Sequence, residues 1–360
     1  MKRLLFNILI FACSCNYYNS NDKIESIFIN LKNESINAST FIKNASIIKL
    51  ETNDDCLIHR ISKIKYLNQK IYILDIDNNA LFIFYEDGSL HKILSKVGGG
   101  PGEYIQIMDF FIEDNFVYIL DFSAQSILKY TDNLEFIAKY KYKLLGSSFV
   151  LKDDGFCIYN EYTGQKNDYQ FSFINQNEIV TNRVLPRKFS SNPYNYGGCN
   201  SFAIHNNMVY ASPRFSSVIY YENNNSLLPL YEIKFDKKNF PKKENIYDYD
   251  ISSLDFNYVI KRNFYVSDKY VIFDYFYDQK RHYCFYEKEH KVIYSGIVDN
   301  DILKDFRFFP RWGNGNYLIE EIDSYIVLEH FNSLKDYNEQ LSDIKADDNP
   351  VIILYTLKSE

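Results

Sequence analysis

A hairpin pattern recurs six times along this chain of 360 residues. In each copy a short strand-like run enters an Asn-, Asp- or Gly-containing turn, and a second run with a Tyr, Ile or Phe core follows. The turns centre on Asn68, Asp114, Asp154, Asn207, Asp268 and Gly315. Successive copies are therefore 46, 40, 53, 61 and 47 residues apart. Strand-rich repeats of this length indicate propeller blades, so we predict an all-β, six-bladed β-propeller with four-stranded antiparallel blades.

The first two copies can be aligned residue by residue. Residues 71–75 (Ile-Tyr-Ile-Leu-Asp) match residues 117–121 (Val-Tyr-Ile-Leu-Asp) at an offset of 46. The alignment continues without a gap until Leu90 faces Phe136. A match of this length indicates two copies of one supersecondary unit.

Composition supports strands and excludes one class of partner. Aromatic residues make up 18% of the chain, with 33 Tyr and 29 Phe but one Trp, and such residues fit the half-buried surface of a sheet. The formal net charge is −7, and no basic tract interrupts the mild acidity. We therefore expect no nucleic-acid partner.

The amino terminus predicts a lipoprotein signal peptide over residues 1–15. A basic start at residues 1–3 precedes an apolar run over residues 4–12, which is too short to span a bilayer as a mature helix. Small residues precede both Cys13 and Cys15, as in a bacterial lipobox. We favour lipidation of Cys15, with Cys13 as the alternative, and a plain signal peptide with incidental cysteines remains open. The membrane contact would then be a lipid anchor only.

The remaining chain divides into a tether and one domain. Residues 16–37 are polar and rich in Asn and Ser, which predicts a tether, and residues 38–360 form the predicted propeller. Strand-like residues 46–52 and 350–357 lie at its two ends. We expect them to pair within one blade, since this would close the ring and remove an exposed edge.

Two segments interrupt the strand pattern. The first is an insert at 236–257, where the spacing of charged and apolar residues favours a short helix. The second, at 333–348, carries apolar residues at helical intervals of 3, 4 and 3. We expect both to cover one rim of the propeller.

Three features of the sequence occur together in order: the lipobox-like start, a Gly-Pro-Gly-Glu-Tyr segment followed by a strand, and Asp-Asn-Pro-Val at 348–351 before the final strand. In these features the sequence resembles the six-bladed β-propeller lipoproteins of Bacteroides and relatives. That family is similar in general shape to NHL-type and TolB-type propellers. The resemblance implies a propeller fold and a cell-envelope location, outer-membrane or periplasm-facing, in a Gram-negative bacterium. It implies no activity.

The glycine-rich segment itself predicts a structural connector between blades. It comprises Gly100, Pro101, Gly102, Glu103 and Tyr104. Glycine permits positive φ and close backbone approach, while proline stiffens the turn. A phosphate cradle is disfavoured because no Lys-Ser/Thr pair follows and the next element is a strand.

Five residues are candidates for ligand binding: Arg214, Arg311, Trp312, His282 and Arg60. Arg214 stands where the first two copies carry Asp75 and Asp121, which we interpret as turn-forming carboxylates. An arginine there would face a ligand carboxylate or phosphate, or form a salt bridge with an acidic neighbour. The pair Arg311 and Trp312 would form an aromatic recognition platform, or the Trp would simply fill the gap between blades.

No pattern in the sequence predicts metal or catalytic chemistry. The six histidines are dispersed, no nucleophile motif occurs, and neither a cofactor nor a metal ion is expected. The mature chain has four scattered cysteines, Cys56, Cys157, Cys199 and Cys284, which we expect to be buried free thiols.

Three functions therefore stay open. We favour a lipid-anchored, non-catalytic module that binds a protein, peptide or glycan in the cell envelope. The alternative is a hydrolase or lyase acting on carbohydrate or peptide at the channel mouth, which rests on analogy between folds. A structural subunit of an envelope complex is the third.

Overall fold

Six antiparallel sheets stand in a ring in the computed structural model, which describes residues 24–153, 155–160, 169–186, 200–240, 257–304, 306–330 and 339–359. Three strands precede the first complete hairpin: β1 (Glu25–Ile29), β2 (Ser35–Asn37) and β3 (Ile42–Lys49). The six-bladed β-propeller predicted from the repeat is confirmed.

Blades 1 to 3 follow one another along the chain. Blade 1 consists of β4 (Ile61–Leu67), β5 (Lys70–Asp75), β6 (Ala80–Tyr85) and β7 (Leu90–Leu94). Blade 2 consists of β8 (Ile107–Glu113), β9 (Phe116–Asp121), β10 (Ser126–Thr131) and β11 (Phe136–Lys141). Blade 3 consists of β12 (Ser148–Lys152), β13 (Gly155–Tyr159), β14 (Tyr169–Asn175) and β15 (Val180–Pro186).

Blades 4 to 6 take in the strands from the amino-terminal segment. Blade 4 consists of β16 (Phe202–His205), β17 (Met208–Ala211), β18 (Val218–Glu222) and β19 (Leu227–Phe235), with β1 beside β19. Blade 5 consists of β20 (Lys261–Val266), β21 (Tyr270–Tyr277), β22 (Lys280–Glu287) and β23 (Ile293–Asp299), with β2 beside β23. Blade 6 consists of β24 (Trp312–Asn314), β25 (Tyr317–Ile322), β26 (Val351–Leu357) and β3.

The strand directions give the propeller two different faces. The first strand of each blade lies innermost. Neighbouring first strands pack against each other from blade 2 round to blade 6, and again between blades 6 and 1. Each first strand begins at the face that carries two kinds of connection: those between blades, and those between second and third strands. We name it the connector face. The first strand ends at the opposite face. That face carries the short turns that join first to second strands and third to fourth strands, and we name it the turn face.

The predicted hairpin turns all join a first strand to a second strand. Asn68, Asp114 and Asn207 have φ values of 51°, 51° and 59°, and Gly315 has 54°. Asn, Asp and Gly tolerate this left-handed region best, which explains the recurring turn composition. Asp154 itself lies outside the described residues.

The second strands carry the cores between blades. All but the first residue of β5 and of β9 are buried, because each blade packs a neighbour on both of its faces. Their sequences consequently read as continuous apolar runs rather than as alternating ones.

The ring closes through its terminal strands. β3 is the outer strand of blade 6 and pairs antiparallel with β26, with Ile47 opposite Ile353. The predicted pairing of the two ends is therefore confirmed.

The amino-terminal segment departs from the predicted tether. β1 pairs in parallel with β19, and β2 pairs in parallel with β23. Each supplies backbone hydrogen bonds to an outer strand that would otherwise be an open edge. Residues 24–37 are therefore part of the propeller, whereas residues 1–23 lie outside the described residues.

Helix is scarce in the described part of the chain. The predicted insert at 333–348 contains a 3₁₀-helix, Glu339–Asp343, and its residues 333–338 lie outside the described part. An α-helix, α1 (Ser324–Glu329), directly precedes that insert and was not predicted. Residues 241–256 of the other insert also lie outside it. No described helix has the length and apolar character needed to cross a membrane.

Three predicted free thiols are confirmed. Cys56, Cys157 and Cys284 are buried and unpaired, whereas Cys199 lies outside the described residues. Within the described ranges, no group of three or more His, Cys, Asp or Glu side chains is placed to hold a metal ion.

Candidate functional site

A cavity of about 500 Å³ opens on the connector face at blade 6. It is built where β25 ends and α1 begins, opposite the segment that leads into β24. Its walls are formed by Phe306, Arg307, Glu320, Glu321, Ile322, Asp323, Ile326 and His330. Apolar and ionisable side chains thus share one concave surface, which is the usual character of a ligand site.

Glu320 forms the buried acidic wall of the cavity. It is 5% exposed, and its Oε2 accepts hydrogen bonds from the Phe309 backbone N–H (2.9 Å) and the Tyr355 hydroxyl (3.2 Å). Burial raises the pKa of Glu320 to about 8, although both hydrogen bonds oppose the shift. The carboxyl group is therefore mainly neutral at pH 7.

Glu321 is the neighbouring carboxyl group on the same strand. Its Oε1 accepts a hydrogen bond from Arg311 Nη1 at 2.5 Å, while its buried Oε2 has no hydrogen-bond partner among the described residues. Burial raises the pKa of Glu321 to about 7, against the opposing charge of Arg311. A buried carboxyl oxygen without a hydrogen-bond partner is uncommon in folded proteins.

The helix α1 supplies the apolar wall. The Ser324 hydroxyl donates to the Asn349 carbonyl oxygen at 2.6 Å and holds the start of the helix against blade 6. Ile326, in the first turn, faces the cavity. At the far end the His330 ring packs against Phe306, with ring centres 5.2 Å apart. Asp323, just before the helix, adds an exposed carboxyl group.

Arg311 and Trp312 lie at the edge of this site in different roles. The Arg311 guanidinium stands 4.7 Å from the centre of the Trp312 ring and also reaches Glu321. Trp312 Nε1 donates to the Ser62 carbonyl oxygen of β4 at 3.3 Å. The Trp side chain therefore fills the contact between blades 6 and 1, and the Arg side chain reaches a residue of the cavity wall.

The other three predicted ligand residues lie on other blades. His282 is buried on β22, where its ring stacks on Tyr275 at 5.3 Å and burial lowers its pKa. Arg60 lies on the connector face of blade 1 with 64% of its side chain exposed, beside Asp77. The Arg214 backbone N–H donates to the Tyr159 hydroxyl at 3.1 Å, between blades 4 and 3. None of the three lines the blade 6 cavity.

The repeated carboxylates at the ends of second strands have a structural role. Asp75 is fully buried and accepts backbone N–H bonds from His59 (2.6 Å) and Arg60 (3.2 Å). Asp121 does the same for the segment that leads into β8. Asp75 also accepts the Asp77 N–H of its own turn at 2.9 Å, which confirms the turn-forming interpretation. In blade 6 the equivalent end of the second strand is Ile322, and Glu320, two residues earlier, accepts the Phe309 N–H.

The glycine-rich segment joins β7 to β8. Glu103 Oε2 accepts the Gly100 N–H at 2.7 Å, and the buried Tyr104 hydroxyl lies within hydrogen-bond distance of the carbonyl oxygens of Asn79 (2.8 Å) and Leu94 (3.0 Å). Gly102 has φ 74°, and a Cβ atom there would lie 2.6 Å from Phe136 Cβ. These contacts are the geometry of a rigid connector between blades 1 and 2.

Comparison with known families gives one match that spans most of the chain. Residues 24–356 match the family described as a domain of unknown function, DUF4934. The chain belongs to this family. No protein of curated function matches the sequence. The lipoprotein character and the NHL- and TolB-type resemblance stay predictions.

Solved structures share the fold of this DUF4934 member. A Bacteroides fragilis protein inferred to be exported has a TM-score of 0.74 at 20% identity, covering 93% of this chain and 99% of its own. A DUF4221 member from Bacteroides vulgatus has a TM-score of 0.53 at 11% identity, covering 88% and 97%. Identities this low establish the fold alone.

Proposed function

We propose that this protein is a cell-envelope binding module whose blade 6 cavity holds a peptide or glycan ligand. The observation that carries the proposal is the cavity itself, whose lining combines the apolar residues Phe306 and Ile326 with the acidic residues Glu320 and Glu321. Such a mixture favours a ligand with both apolar and polar groups. The similarity to an exported protein agrees with an envelope location.

Anchoring through Cys15 would present this cavity away from the membrane. β1 runs parallel to β19, toward the connector face, and Glu25 at its start lies 3.5 Å from Lys291 of the β22–β23 turn on the turn face. Cys15 precedes Ile24 by 24 − 15 = 9 residues, a maximum reach of about 30 Å. The turn face would therefore lie nearest the bilayer.

A matched pair of labels on one blade tests this orientation. Asn115→Cys places a thiol on the turn face of blade 2, and Ser123→Cys places one on its connector face. In the anchored protein, a lipid-borne quencher should quench a fluorophore at position 115 more strongly than one at position 123. Stronger quenching at position 123 would reverse the orientation.

Binding is tested by probing peptide and glycan arrays with the soluble domain. The variant Glu321→Gln changes the cavity wall with little change in volume, and Asp114→Asn makes the same chemical change on the turn face. We expect a ligand class whose signal falls at least tenfold with Glu321→Gln and stays unchanged with Asp114→Asn. Binding that neither variant alters, or no binding on either array, would contradict a ligand site in this cavity.

A catalytic role is the second candidate, and one observation favours it. Glu320 and Glu321 both have raised pKa values in a cavity, as general acids often do. A hydrolase or lyase acting on carbohydrate or peptide would use them. We place it second because Glu320 is held by backbone and tyrosine hydrogen bonds and is 5% exposed. Turnover of an array ligand that Glu320→Gln abolishes would reverse this order.

A further inference from the structure

An amine of blade 1 reaches into the centre of the ring, away from the blade 6 cavity. Lys65 lies on β4, the innermost strand of blade 1, two residues before that strand ends at the turn face. Its amine stands 4.6 Å from the centre of the Phe111 ring of β8. The Phe111 ring packs toward Phe149 of blade 3, with ring centres 6.1 Å apart. The Lys65 side chain therefore passes blade 2 on its inner edge and lies in the central channel.

The Lys65 amine has no hydrogen bond or ion pair within the part of the chain that the structure describes. Asp109, the buried carboxylate of this part of the channel, is taken by other groups. Its Oδ1 accepts Lys63 Nζ at 2.6 Å, and its Oδ2 accepts the Phe149 N–H at 3.0 Å. Lys63 Nζ also donates to the Phe110 carbonyl oxygen at 2.8 Å. Lys63 is therefore held as an ammonium group, whereas Lys65 is left with an aromatic ring and no acceptor.

This arrangement keeps much of the Lys65 amine neutral at pH 7. Burial, and then the positive charge of Lys63, lowers the pKa of Lys65 to about 7, against the opposing charges of Asp109 and Glu113. Lys65 nevertheless keeps part of its surface open to solvent, so a small molecule in the channel can reach it. A desolvated lysine beside a second cation is one form of activated nucleophile.

We propose that the central channel is a covalent binding site in which the Lys65 amine forms an imine with a small aldehyde. The nitrogen adds to the carbonyl carbon, both N–H protons leave with the carbonyl oxygen as water, and a C=N bond remains. An aldehyde suits a confined amine because its carbonyl carbon carries a hydrogen atom. The Phe111 ring offers an apolar wall to the rest of the ligand. This site is separate from the blade 6 cavity and does not depend on the proposed binding function.

The ligand would enter from the turn face. Lys65 is two residues from the end of β4 at that face, and the exposed Glu113 ends β8 there. Glu113 also acts on the charge of Lys65, which places both side chains near the same mouth of the channel.

The expected rate follows from the neutral fraction of each amine. With a pKa of about 7, half of the Lys65 amines are neutral at pH 7. An ordinary lysine with a pKa of about 10.4 is neutral in roughly one molecule in 2,500 at the same pH. A less basic amine is also a weaker nucleophile, and the channel slows entry. We therefore expect Lys65 to react at least about tenfold faster than an ordinary lysine at pH 7.

Lys129 is a matched reference within the same chain. It is partly exposed, like Lys65, and its amine lies 3.8 Å from the centre of the Phe116 ring. It belongs to β10, the third strand of blade 2, and so lies away from the channel. Both lysines have an aromatic neighbour, and they differ in their depth and in the ammonium group beside Lys65.

Reductive trapping measures the reaction at each lysine. The purified full chain is incubated with glycolaldehyde and cyanoborohydride, which reduces an imine to a stable amine, and peptide mass spectrometry gives the rate at each site. At pH 7 we expect the adduct to form on Lys65 at least about tenfold faster than on Lys129. The ratio of the two rates should fall by about tenfold from pH 7 to 9, because Lys129 gains neutral amine after Lys65 has become neutral.

Two substitutions at position 63 test the part played by the neighbouring cation. Lys63→Met removes the charge and frees Asp109, so the pKa of Lys65 should rise and its rate at pH 7 should fall at least about threefold. Lys63→Arg keeps a cation beside Asp109 and should keep the fast rate. If Lys63→Met does not fold, the unmodified chain and Lys63→Arg still decide the question.

Two results would overturn the inference. Equal adduct rates on Lys65 and Lys129 at pH 7 would show that the channel amine is not an activated nucleophile. Fast acetylation of Lys65 by acetic anhydride without an aldehyde adduct would show that the amine is neutral but that the channel rejects a carbonyl ligand. The proposed binding function of the blade 6 cavity would stand in either case.

Discussion

Replacing Asn349 with alanine should weaken the joint where the ring closes. Asn349 precedes β26 and is 2% exposed. Its Oδ1 accepts the Ile58 N–H at 2.8 Å, and its Nδ2 donates to the carbonyl oxygens of Glu51 (2.7 Å) and Cys56 (2.6 Å). One amide thus connects blade 6 to the segment that enters blade 1.

The expected loss follows from those three bonds. At about 1 kcal/mol for each net hydrogen bond, Asn349→Ala should lower the free energy of unfolding by about 3 kcal/mol. An unfolding entropy of about 2.1 cal/mol/K per residue gives about 0.75 kcal/mol/K for a chain of this length, so Tm should fall by about 4 °C.

Scanning calorimetry measures this change. The control is Asn177→Ala, an exposed residue of the β14–β15 turn, where we expect a change within about 0.5 kcal/mol. A loss below about 1 kcal/mol for Asn349→Ala would refute the reasoning, because the three bonds would then contribute little to the closure of the ring.

Two further predictions concern the cavity and the anchor. The pKa of Glu320 is raised from 4.5 to about 8 by burial, so the stability contributed by its neutral form is complete below about pH 4.5 and is lost as the pH rises through about 8. Glu320→Gln should therefore flatten the pH dependence of the urea midpoint between pH 5 and 9, and an unchanged slope would argue against the raised pKa. Cys15→Ser should move the protein from the membrane fraction to the soluble fraction in cells, and persistent lipid labelling would reassign the anchor to Cys13.

The fold could be predicted from the sequence because its signals are local and repeated. Turns that require positive φ recur at Asn68, Asp114 and Asn207 between apolar runs, and each marks the start of a second strand. The closing pair was predictable for a different reason. A ring with strand-like runs at both ends leaves an open edge unless those runs pair.

The parallel edge strands were missed because polar residues surround them. Glu-Ser-Ile at residues 25–27 recurs at residues 34–36, and in the structure both copies lie at the outer edges of neighbouring blades. That short repeat was the available signal. Parallel pairing to strands 206 and 262 residues away leaves no other mark on the local sequence.

The cavity was only partly predictable. Arg311 was a candidate, and it reaches the cavity through Glu321. The two glutamates follow an ordinary strand pattern, and their raised pKa values arise from burial by segments that precede β24 and follow β25. Sequence spacing carries no information about that burial. His282 was a candidate by residue type, and its buried place on β22 could be found only from the packing of blade 5.

A crystal structure of the domain with the strongest array ligand tests the central claim most directly. The account predicts ligand density in the blade 6 cavity on the connector face, in contact with Phe306, Glu320 and Ile326 of its wall. Density at the turn face, in the central channel or on another blade, with the cavity unchanged, would contradict it.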